Sequence, residues 1–444
     1  MLRQNDADGM KSSLESLHPA TIAETLEEWS VDEIWKFLSH TDIRTQAEIF
    51  AYFPDDLQVA LVEGAGRQHM AHLIEQMSHD DRVDLLQRLP PRVGEAILRL
   101  VDEADRRDIA ALYRYGENTA GGIMTTEYAW LPENLTVGEA LDRLRLQAPD
   151  SEIINYVYIL DDQRRLRGVV SLRNLILARR DVPVRDIMET NVVSVHVGDD
   201  REIVARKIAD YDLLAIPVVN DEGRLVGIVT HDDVIDVIVE EATEDVHRLG
   251  AVGHIEDEYL NAPFTSVWRT RAFWLACLFF AQLLTFGTMA IYQSVVPEPL
   301  MVVLALFIPM CISVGGNSGS QAVTLITRAL ALGEVELKDW FRVLWHEVKM
   351  GLALGLTVGA IGFVFAYLTP ASVLHGIPRF ELSISIACAV MFICFWGTMI
   401  GAMLPLGFKL VGIDPAIASS PAVATLVDFT GVIIFFSIAV VILS

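Results

Sequence analysis

Residues 417–443 read IASSPAVATLVDFTGVIIFFSIAVVIL, an apolar stretch with one ionisable side chain, Asp428. The stretch is longer than the roughly 20 residues that an α-helix needs to cross the hydrocarbon core of a bilayer. A charged side chain at the centre of such a helix costs about 2.5–3.5 kcal/mol on insertion scales, and no base in the stretch can pair with it. We therefore expect Asp428 to face a hydrated pathway for a cation. The structural alternative is a protonated carboxyl bonded to neighbouring backbone.

Four further apolar stretches precede this one, at roughly 272–296, 300–325, 346–369 and 381–407. The second contains Pro309 and the run Gly315-Gly-Asn-Ser-Gly319, which we expect to interrupt the helix. Non-helical backbone at membrane depth is tolerated only where protein or a water-filled cavity satisfies its polar groups. The second stretch is therefore a candidate pore lining.

Charge divides the 444 residues into two parts. Residues 269–444 carry eight acidic and eight basic side chains, so the formal net charge of −25 comes entirely from residues 1–268. So acidic a chain offers no basic face for phosphates, and we expect no nucleic-acid partner. The polar start, Met1–Met10, predicts no secretory signal peptide.

Basic residues are unevenly distributed among the connections between the apolar stretches. The first and third connections hold one basic residue, Arg379. The segment before the first stretch and the second and fourth connections, which lie on the opposite side of the membrane, hold or adjoin seven basic residues: Arg269, Arg271, Arg328, Lys338, Arg342, Lys349 and Lys409. The positive-inside rule then predicts a multi-pass protein of the cell (inner) membrane, with the N-terminus in the cytoplasm and the C-terminus outside.

The acidic part contains an internal repeat. Val157–Ile176 (VYILDDQRRLRGVVSLRNLI) aligns with Ile216–Ile235 (IPVVNDEGRLVGIVTHDDVI) at an offset of 59 residues. Each copy predicts a strand, a charged turn, a second strand and the start of a helix. The pattern resembles tandem CBS domains, regulatory modules that often bind adenine nucleotides. The resemblance implies four nucleotide-binding positions: Ser171, Asn174, Thr230 and Asp233.

Helical patterns flank the repeat on both sides. Residues 13–116 show helical periodicity, and Ser30-Val-Asp-Glu33 fits a capping box, which together predict a bundle or superhelix of short helices. After the repeat, two acidic runs, Glu240–Asp245 and Glu256–Glu258, favour a long amphipathic connecting helix. Like charges on such a helix repel unless divalent ions bridge them.

Several local motifs recur in one known family. They are Gly315-Gly-Asn-Ser-Gly-Ser-Gln321 after Pro309, Leu337-Lys-Asp-Trp340, Asp414-Pro415 and Ala424-Thr-Leu-Val-Asp-Phe-Thr-Gly431. With the domain layout, they resemble MgtE-type magnesium channels. The fold we expect is multidomain, with an all-α N-terminal domain, α+β tandem CBS domains and a five-helix α transmembrane domain. The expected boundaries are 1–120 (helical domain), 121–186 and 187–242 (CBS domains), 243–270 (acidic connecting, or plug, helix) and 271–444 (pore domain).

The resemblance implies a homodimer in the lipid bilayer, with a central pore in which Asp428 of each copy holds a hydrated Mg2+. Mg2+ dehydrates reluctantly and is usually held by one or two carboxylates through its waters, whereas softer metals call for His or Cys. Family members often carry Asn or Gly where this chain has Ser420. The other residues expected to line the path are Ala424, Thr425, Ser420, Gly316, Asn317 and Gln321.

The expected function is import of Mg2+ driven by the membrane potential, which is worth about 4.6 kcal/mol for a divalent ion at 100 mV. No GxxxxGK[ST] phosphate loop is present in the sequence, and we expect no enzyme activity. Cytoplasmic Mg2+ is expected to close the pore by bridging acidic surfaces, and ATP is a candidate regulator. The regulatory metal positions we predict are Glu222, Asp232, Asp245, Glu256, Asp257 and Glu258.

Three alternatives remain open at this point. One is a secondary transporter or exporter coupled to protons through Asp428, and another is a broad divalent cation transporter that also carries Co2+ or Mn2+. The third is a membrane-anchored nucleotide sensor with CBS domains, although a simple anchor has no use for Asp428 or the Gly-rich run. Intramembrane aspartyl proteolysis needs two aspartates at one site, whereas each chain offers one.

Overall fold

A computed structural model describes residues 17–116, 118–148, 151–253, 255 and 262–443. The chain divides into two structural units, Met1–Glu240 and Glu241–Ser444. Each is described separately below.

The first unit begins with eight short helices. Their starts follow local sequence signals: Ser30 and Glu33 form the expected capping box, and the Asp42 side chain accepts hydrogen bonds from the backbone N–H groups of Arg44 and Thr45. Each helix packs against the helix two places along the chain, as in a superhelix of short helices. The helices are α1 Pro19–Leu26, α2 Val31–Leu38, α3 Ile43–Ala51, α4 Asp55–Gly64, α5 Arg67–Ile74, α6 His79–Arg88, α7 Pro91–Leu98 and α8 Glu103–Leu112.

The repeat folds as two matching three-stranded sheets. In each, the first strand pairs in parallel with the second, and the second pairs antiparallel with the third. The two copies meet through their charged turns, where Leu166 N donates to Gly223 O and Leu225 N donates to Arg164 O. The first copy comprises β1 Tyr128–Pro132, α9 Val137–Gln147, β2 Ile153–Leu160, β3 Leu166–Ser171 and α10 Leu172–Leu177; the second comprises β4 Val195–His196, α11 Arg201–Asp210, β5 Ala215–Val219, β6 Leu225–Thr230 and the start of α12, His231–Leu249.

The connecting helix differs from the expected plug helix of residues 243–270. Helix α12 begins inside the second repeat at His231 and ends at Leu249. Ala251 adopts the left-handed conformation, with φ +54°, and Val252 N donates to His247 O, which is the hydrogen-bond pattern that terminates a helix. The acidic run Glu256, Asp257 and Glu258 lies outside the described residues.

The second unit contains five helices long and apolar enough to cross a membrane, as expected. Half of the most apolar window of α17 is buried, against 6% for α13, so α17 lies at the centre of the unit and α13 at its edge. The spans are α13 Phe264–Val295, α14 Glu298–Ala331, α15 Trp340–Leu368, α17 Arg379–Leu410 and α18 Ser420–Leu443, with the short helix α16 Ala371–Leu374 between the third and the fourth.

The expectation of an interrupted second stretch is wrong. Helix α14 is continuous, with Pro309 inside it. The glycines serve packing instead: a Cβ added at Gly397 of α17 would lie 2.2 Å from Gly315 O, and one at Gly401 would lie 2.2 Å from Gly319 O. Small residues let the backbones of α14 and α17 approach closely, as is common between membrane helices.

Candidate functional site

A cavity of about 530 Å3 opens between α13, α14 and α18. It is lined by apolar side chains and by a small set of oxygen- and nitrogen-bearing ones. Two of these come from α13, three from α14 and one from α18: Gln282, Thr285, Ser313, Asn317, Ser320 and Asp428. A mostly apolar cavity with a few convergent polar groups is the usual form of a binding site.

Asp428 is the acidic group of this cavity. Its Oδ2 accepts a hydrogen bond of 3.1 Å from Gln282 Nε2, and no described Lys or Arg pairs with it. A carboxylate that faces a cavity in an apolar helix, with a neutral partner only, retains its capacity to attract a cation.

The structure brings together four of the predicted pore residues and separates three others from them. Gly316, Asn317, Ala424 and Asp428 all line the cavity, and Asn317 Nδ2 lies 3.4 Å from Ser313 Oγ. The other three, Ser420, Thr425 and Gln321, are not among its lining residues.

The hydrogen bonds of two of these residues fit their position outside the cavity. Thr425 Oγ1 donates to Pro421 O at 2.9 Å, so its hydroxyl is satisfied within α18. The carbonyl of Ser420 accepts from Ser320 Oγ at 3.4 Å, which joins the start of α18 to α14.

Four of the residues that line the cavity were not predicted from the sequence: Gln282, Thr285, Ser313 and Ser320. On α14 a signal was present, because positions 313, 316, 317 and 320 recur at helical spacing and therefore share one face. On α13 there was none: a neutral amide in an apolar helix does not indicate which neighbour it faces.

A cluster of carboxylates lies in the first unit, where α6 and α12 begin. Burial first, and the charge of Asp80 second, raise the pKa of Asp81 to about 6 and the pKa of Asp233 to about 8. Burial likewise raises the pKa of Glu152 to about 7, again with Asp80 as the largest neighbouring charge. The pKa of Asp84 is raised to about 7 by burial, against the opposing charge of Arg88. Asp81 and Glu152 are nevertheless exposed residues, so the directions of these pKa shifts carry more weight than their sizes.

Asp80 is the shared neighbour of this cluster. Its Oδ1 is buried and makes no hydrogen bond among the described residues. Over the described part of the chain, no three His, Cys, Asp or Glu side chains converge closely enough to bind a bare ion.

The predicted regulatory positions fall in different places. Asp232 belongs to the carboxylate cluster, since its charge contributes to the raised pKa of Asp233 and of Glu152. Glu222 lies instead on the turn between β5 and β6, where it pairs with Arg224 at 2.7 Å. Asp245 is in the second half of α12, where burial and then the charge of Glu241 raise its pKa.

The four predicted nucleotide positions occupy equivalent places in the two repeats. Ser171 Oγ accepts from Asn174 N at 3.1 Å and caps α10. Thr230 Oγ1 donates to Asp233 Oδ2 at 2.5 Å at the start of α12. The two copies differ chemically, because the second offers a carboxylate where the first offers an amide.

The end of α12 belongs to the second unit and makes ion pairs within it. Arg248 forms ion pairs with Glu244 of its own helix and with Asp414, in the connection between α17 and α18. Asp414 also caps the short 3-10 turn that follows, by accepting from Ala416 N at 2.8 Å. The connecting helix thus contacts the segment that leads into α18, the helix that carries Asp428.

Comparison with known families matches each part of the chain. Residues 308–438 match the MgtE family, described as a divalent cation transporter, and residues 17–118 match the MgtE intracellular N domain. Residues 120–181 and 184–240 match the CBS domain.

Whole-chain relatives are similar over nearly the full length. The chain is 37% identical to the magnesium transporter MgtE of Thermus thermophilus, over 99% of this chain and 96% of the relative. It is 29% identical to the magnesium transporter MgtE of Bacillus subtilis, over 99% and 95% of the two chains.

Two crystal structures resemble the first part of the chain. One is the soluble part of a magnesium transporter, with 34% identity and a TM-score of 0.52, covering 54% of this chain and 95% of that one. The other is the cytosolic domain of the Mg2+ channel MgtE in complex with ATP, with 38% identity and a TM-score of 0.51, covering 53% and 96%. Because the similarity extends over the helical domain, the CBS pair and the membrane spans together, this chain belongs to the MgtE family of magnesium transporters and is a multi-pass membrane protein, not an enzyme.

Proposed function

We propose that this chain is a channel through which the membrane potential drives Mg2+ into the cytoplasm. The observation that carries the proposal is Asp428, a carboxylate without a described basic partner that lines a mostly apolar cavity together with a few neutral hydroxyl and amide groups. Mg2+ is a hard cation that prefers oxygen ligands and keeps several waters, which such a lining suits.

The size of the cavity fits an ion that keeps its water shell. Six waters at about 30 Å3 each occupy roughly 180 Å3. The cavity volume of about 530 Å3 exceeds that of an ion with six waters. Selection then acts on the hydrated ion through Asp428, Asn317 and the hydroxyls of α14.

Two copies of the chain form the conducting unit in this proposal. One carboxylate per chain supplies one negative charge, and a two-fold axis doubles it to match the charge of a divalent ion. The edge helix α13 is apolar and little buried, as expected of a helix that contacts lipid or a second copy. The N-terminus lies in the cytoplasm and the C-terminus outside, in keeping with the basic connections.

Removal of the Asp428 charge tests the transport proposal. We expect Asp428→Asn, which preserves volume, to abolish Mg2+-dependent growth rescue of a bacterium that lacks its own Mg2+ uptake. The control is Glu381→Gln, which removes an exposed carboxylate from the first turn of α17. Rescue by Asp428→Asn at the level of the control would remove the pore assignment.

Closure by cytoplasmic Mg2+ is the second part of the proposal. Hydrated Mg2+ binds among Asp80, Asp84, Glu152, Asp232 and Asp233 and relieves the repulsion that contributes to the raised pKa values of Asp84, Glu152 and Asp233. Helix α12 transmits the change, because it starts at this cluster and its other end is paired through Arg248 with Asp414. This proposal moves the regulatory site towards Asp80 and away from Glu222, which is paired with Arg224.

Neutralising the shared neighbour tests the regulatory site. We expect Asp80→Asn to raise several-fold the cytoplasmic Mg2+ concentration that halves the flux. The substitution removes a negative charge that helps to raise the pKa of each of four neighbouring carboxyls: Asp81, Asp84, Glu152 and Asp233. Asp32→Asn is the matched control, since Asp32 is an exposed first-turn acid of α2. An unchanged inhibition curve for Asp80→Asn would exclude this site.

ATP is the third ligand proposed, at the second CBS copy. A related cytosolic domain has been crystallised in complex with ATP. Both Thr230 bonds go to Asp233 Oδ2, which leaves Oδ1 to form a hydrogen bond with a ribose hydroxyl. We expect calorimetry on the full chain to show weaker ATP binding for Thr230→Ala than for Ser171→Ala, the equivalent cap in the first copy; equal loss in both would contradict this placement.

A further inference from the structure

Gln282 places a residue of the first span beside the central carboxylate. Its Nε2 donates to Asp428 Oδ2 at 3.1 Å, and both side chains line the same cavity. Among the described residues, Asp428 receives no other side-chain hydrogen bond. A hydrogen bond to a charged acceptor is roughly twice as strong as one between neutral groups.

The attachment of α13 does not depend on this hydrogen bond. The helix packs most extensively against α18, and near its C-terminal end Tyr292 stacks on Phe436 with ring centroids 4.8 Å apart. The Tyr292 hydroxyl also contacts Ser437 Oγ at 3.1 Å and Ile433 O at 3.4 Å. These contacts hold α13 against α18 without the help of Gln282. The amide of Gln282 is therefore not needed to attach the helix and can serve the cavity.

We propose that Gln282 is a positioning residue that determines the preference of the site for hydrated Mg2+; the inference rests on the transport function proposed above. The amide holds one carboxylate oxygen, and this fixes the orientation of Asp428 so that its other oxygen accepts from the waters of the ion. A carboxylate freed from that bond turns to ligate an ion directly. Direct ligation favours a transition-metal ion over Mg2+, which dehydrates reluctantly.

The test compares two glutamines on the same helix. Gln282→Met keeps the length of the side chain and removes the donor, whereas Gln293→Met makes the same change at an exposed position outside the cavity. Uptake of Mg2+ and of Co2+ is measured for each variant in proteoliposomes over a range of concentrations. We expect Gln282→Met to raise the half-saturating Mg2+ concentration about tenfold, the factor that corresponds to roughly 1.4 kcal/mol. The value for Co2+ should rise less, and the maximal flux should be retained.

The ratio of the two half-saturating concentrations separates positioning from structural support. A purely structural role would lower the amount of active protein and the maximal flux while leaving this ratio unchanged. Gln282→Glu is the second variant, because it keeps the volume but replaces the donor with an acceptor; we expect the Mg2+ preference to fall here too. A wild-type ratio in whichever of the two variants is produced as folded protein would overturn the inference.

Asp428→Asn, measured in parallel, distinguishes this failure from failure of the proposed function. If Asp428→Asn is inactive and the Gln282 variants keep the wild-type ratio, the positioning role is disproved and the pore assignment stands. If Asp428→Asn transports Mg2+ normally, the proposed function fails, and the inference fails with it.

Discussion

At the scale of single residues, the carboxylates around Asp80 respond to their surroundings in the same direction. Burial and mutual repulsion raise the pKa of Asp81, Asp84, Glu152 and Asp233 into the range of about 6 to 8. At neutral pH the cluster therefore binds protons in part, and a divalent cation must displace them. Proton binding and Mg2+ binding are consequently linked.

This linkage predicts a pH-dependent stability of the first unit. A carboxyl whose pKa rises on folding stabilises the folded state fully below its unfolded pKa, 3.8 for Asp and 4.5 for Glu. That contribution is lost as the pH rises through the folded values of about 6 to 8. In Mg2+-free buffer we expect hydrogen-exchange protection of α6 and of the start of α12, corrected for intrinsic rates, to fall between about pH 5.5 and about pH 8.5.

The control for this experiment is Mg2+ itself. Addition of Mg2+ at the higher pH should restore protection of α6 and α12, because the ion replaces the lost protons. At the lower pH it should have little effect. Equal protection at both pH values without Mg2+ would contradict the repulsion on which the regulatory site depends.

Residues differ in how visible they are in the sequence. Asp428 is conspicuous because a single charge in a long apolar stretch has few structural explanations. Asp80 is not, since acids in the first turn of a helix are common there and favour the helix dipole, so it looks like Asp32. Gln282 carries no charge and gives no signal until the fold places it against Asp428.

At the scale of elements, the closest approach in the membrane unit is the crossing of α14 and α17. Gly315 faces Gly397 and Gly319 faces Gly401, so that backbone packs directly on backbone. Ser318 Oγ and Thr398 Oγ1 add a hydrogen bond of 2.5 Å at the same level. Helix α14 thus packs on α17 through Gly315 and Gly319 and lines the cavity through positions 313, 316, 317 and 320.

A single methyl group at this crossing should be destabilising. In Gly397→Ala the new Cβ would lie 2.2 Å from Gly315 O, and backbone cannot move aside as a flexible side chain does. We expect a loss of about 1–3 kcal/mol, typical of overpacking, seen as a lower thermal midpoint in detergent.

The same helix supplies the control. Gly407 of α17 has nothing within 4 Å of an added Cβ, so Gly407→Ala should be neutral or slightly stabilising through helix propensity. If Gly397→Ala were as stable as Gly407→Ala, the close crossing would be disproved.

Elements with a strong hydrophobic pattern or repeat could be predicted from the sequence, whereas the continuity of α14 and the end of α12 could not. The five apolar spans and the paired sheets follow from hydrophobic length and from the repeat of Val157–Ile176 in Ile216–Ile235. A Gly-rich run serves equally as a break or as a packing surface, and only the position of α17 decides between them. The end of α12 depends on the left-handed conformation of Ala251. Alanine seldom adopts this conformation, so the sequence could not predict where the helix ends.

At the scale of the whole molecule, the acidic and the nearly neutral parts of the chain have different proposed functions. The acidic residues before 269 supply the proposed sensor, and the nearly neutral remainder supplies the proposed pore. Helix α12 belongs to both structural units, which divide after Glu240. Its last turn pairs through Arg248 with Asp414 within the second unit.

The proton-coupled and channel interpretations differ at this scale. A channel moves Mg2+ down its electrochemical gradient, and a divalent ion gains about 4.6 kcal/mol on crossing 100 mV. A proton-coupled transporter would instead use Asp428 as a proton carrier, so that every Mg2+ moved changes the pH on the opposite side.

The most direct measurement is Mg2+ influx into proteoliposomes under a potassium diffusion potential, with the internal pH recorded simultaneously. The account predicts influx that grows with an inside-negative potential, leaves the internal pH constant and disappears in Asp428→Asn. Influx that requires a pH gradient, or that persists in Asp428→Asn, would contradict it.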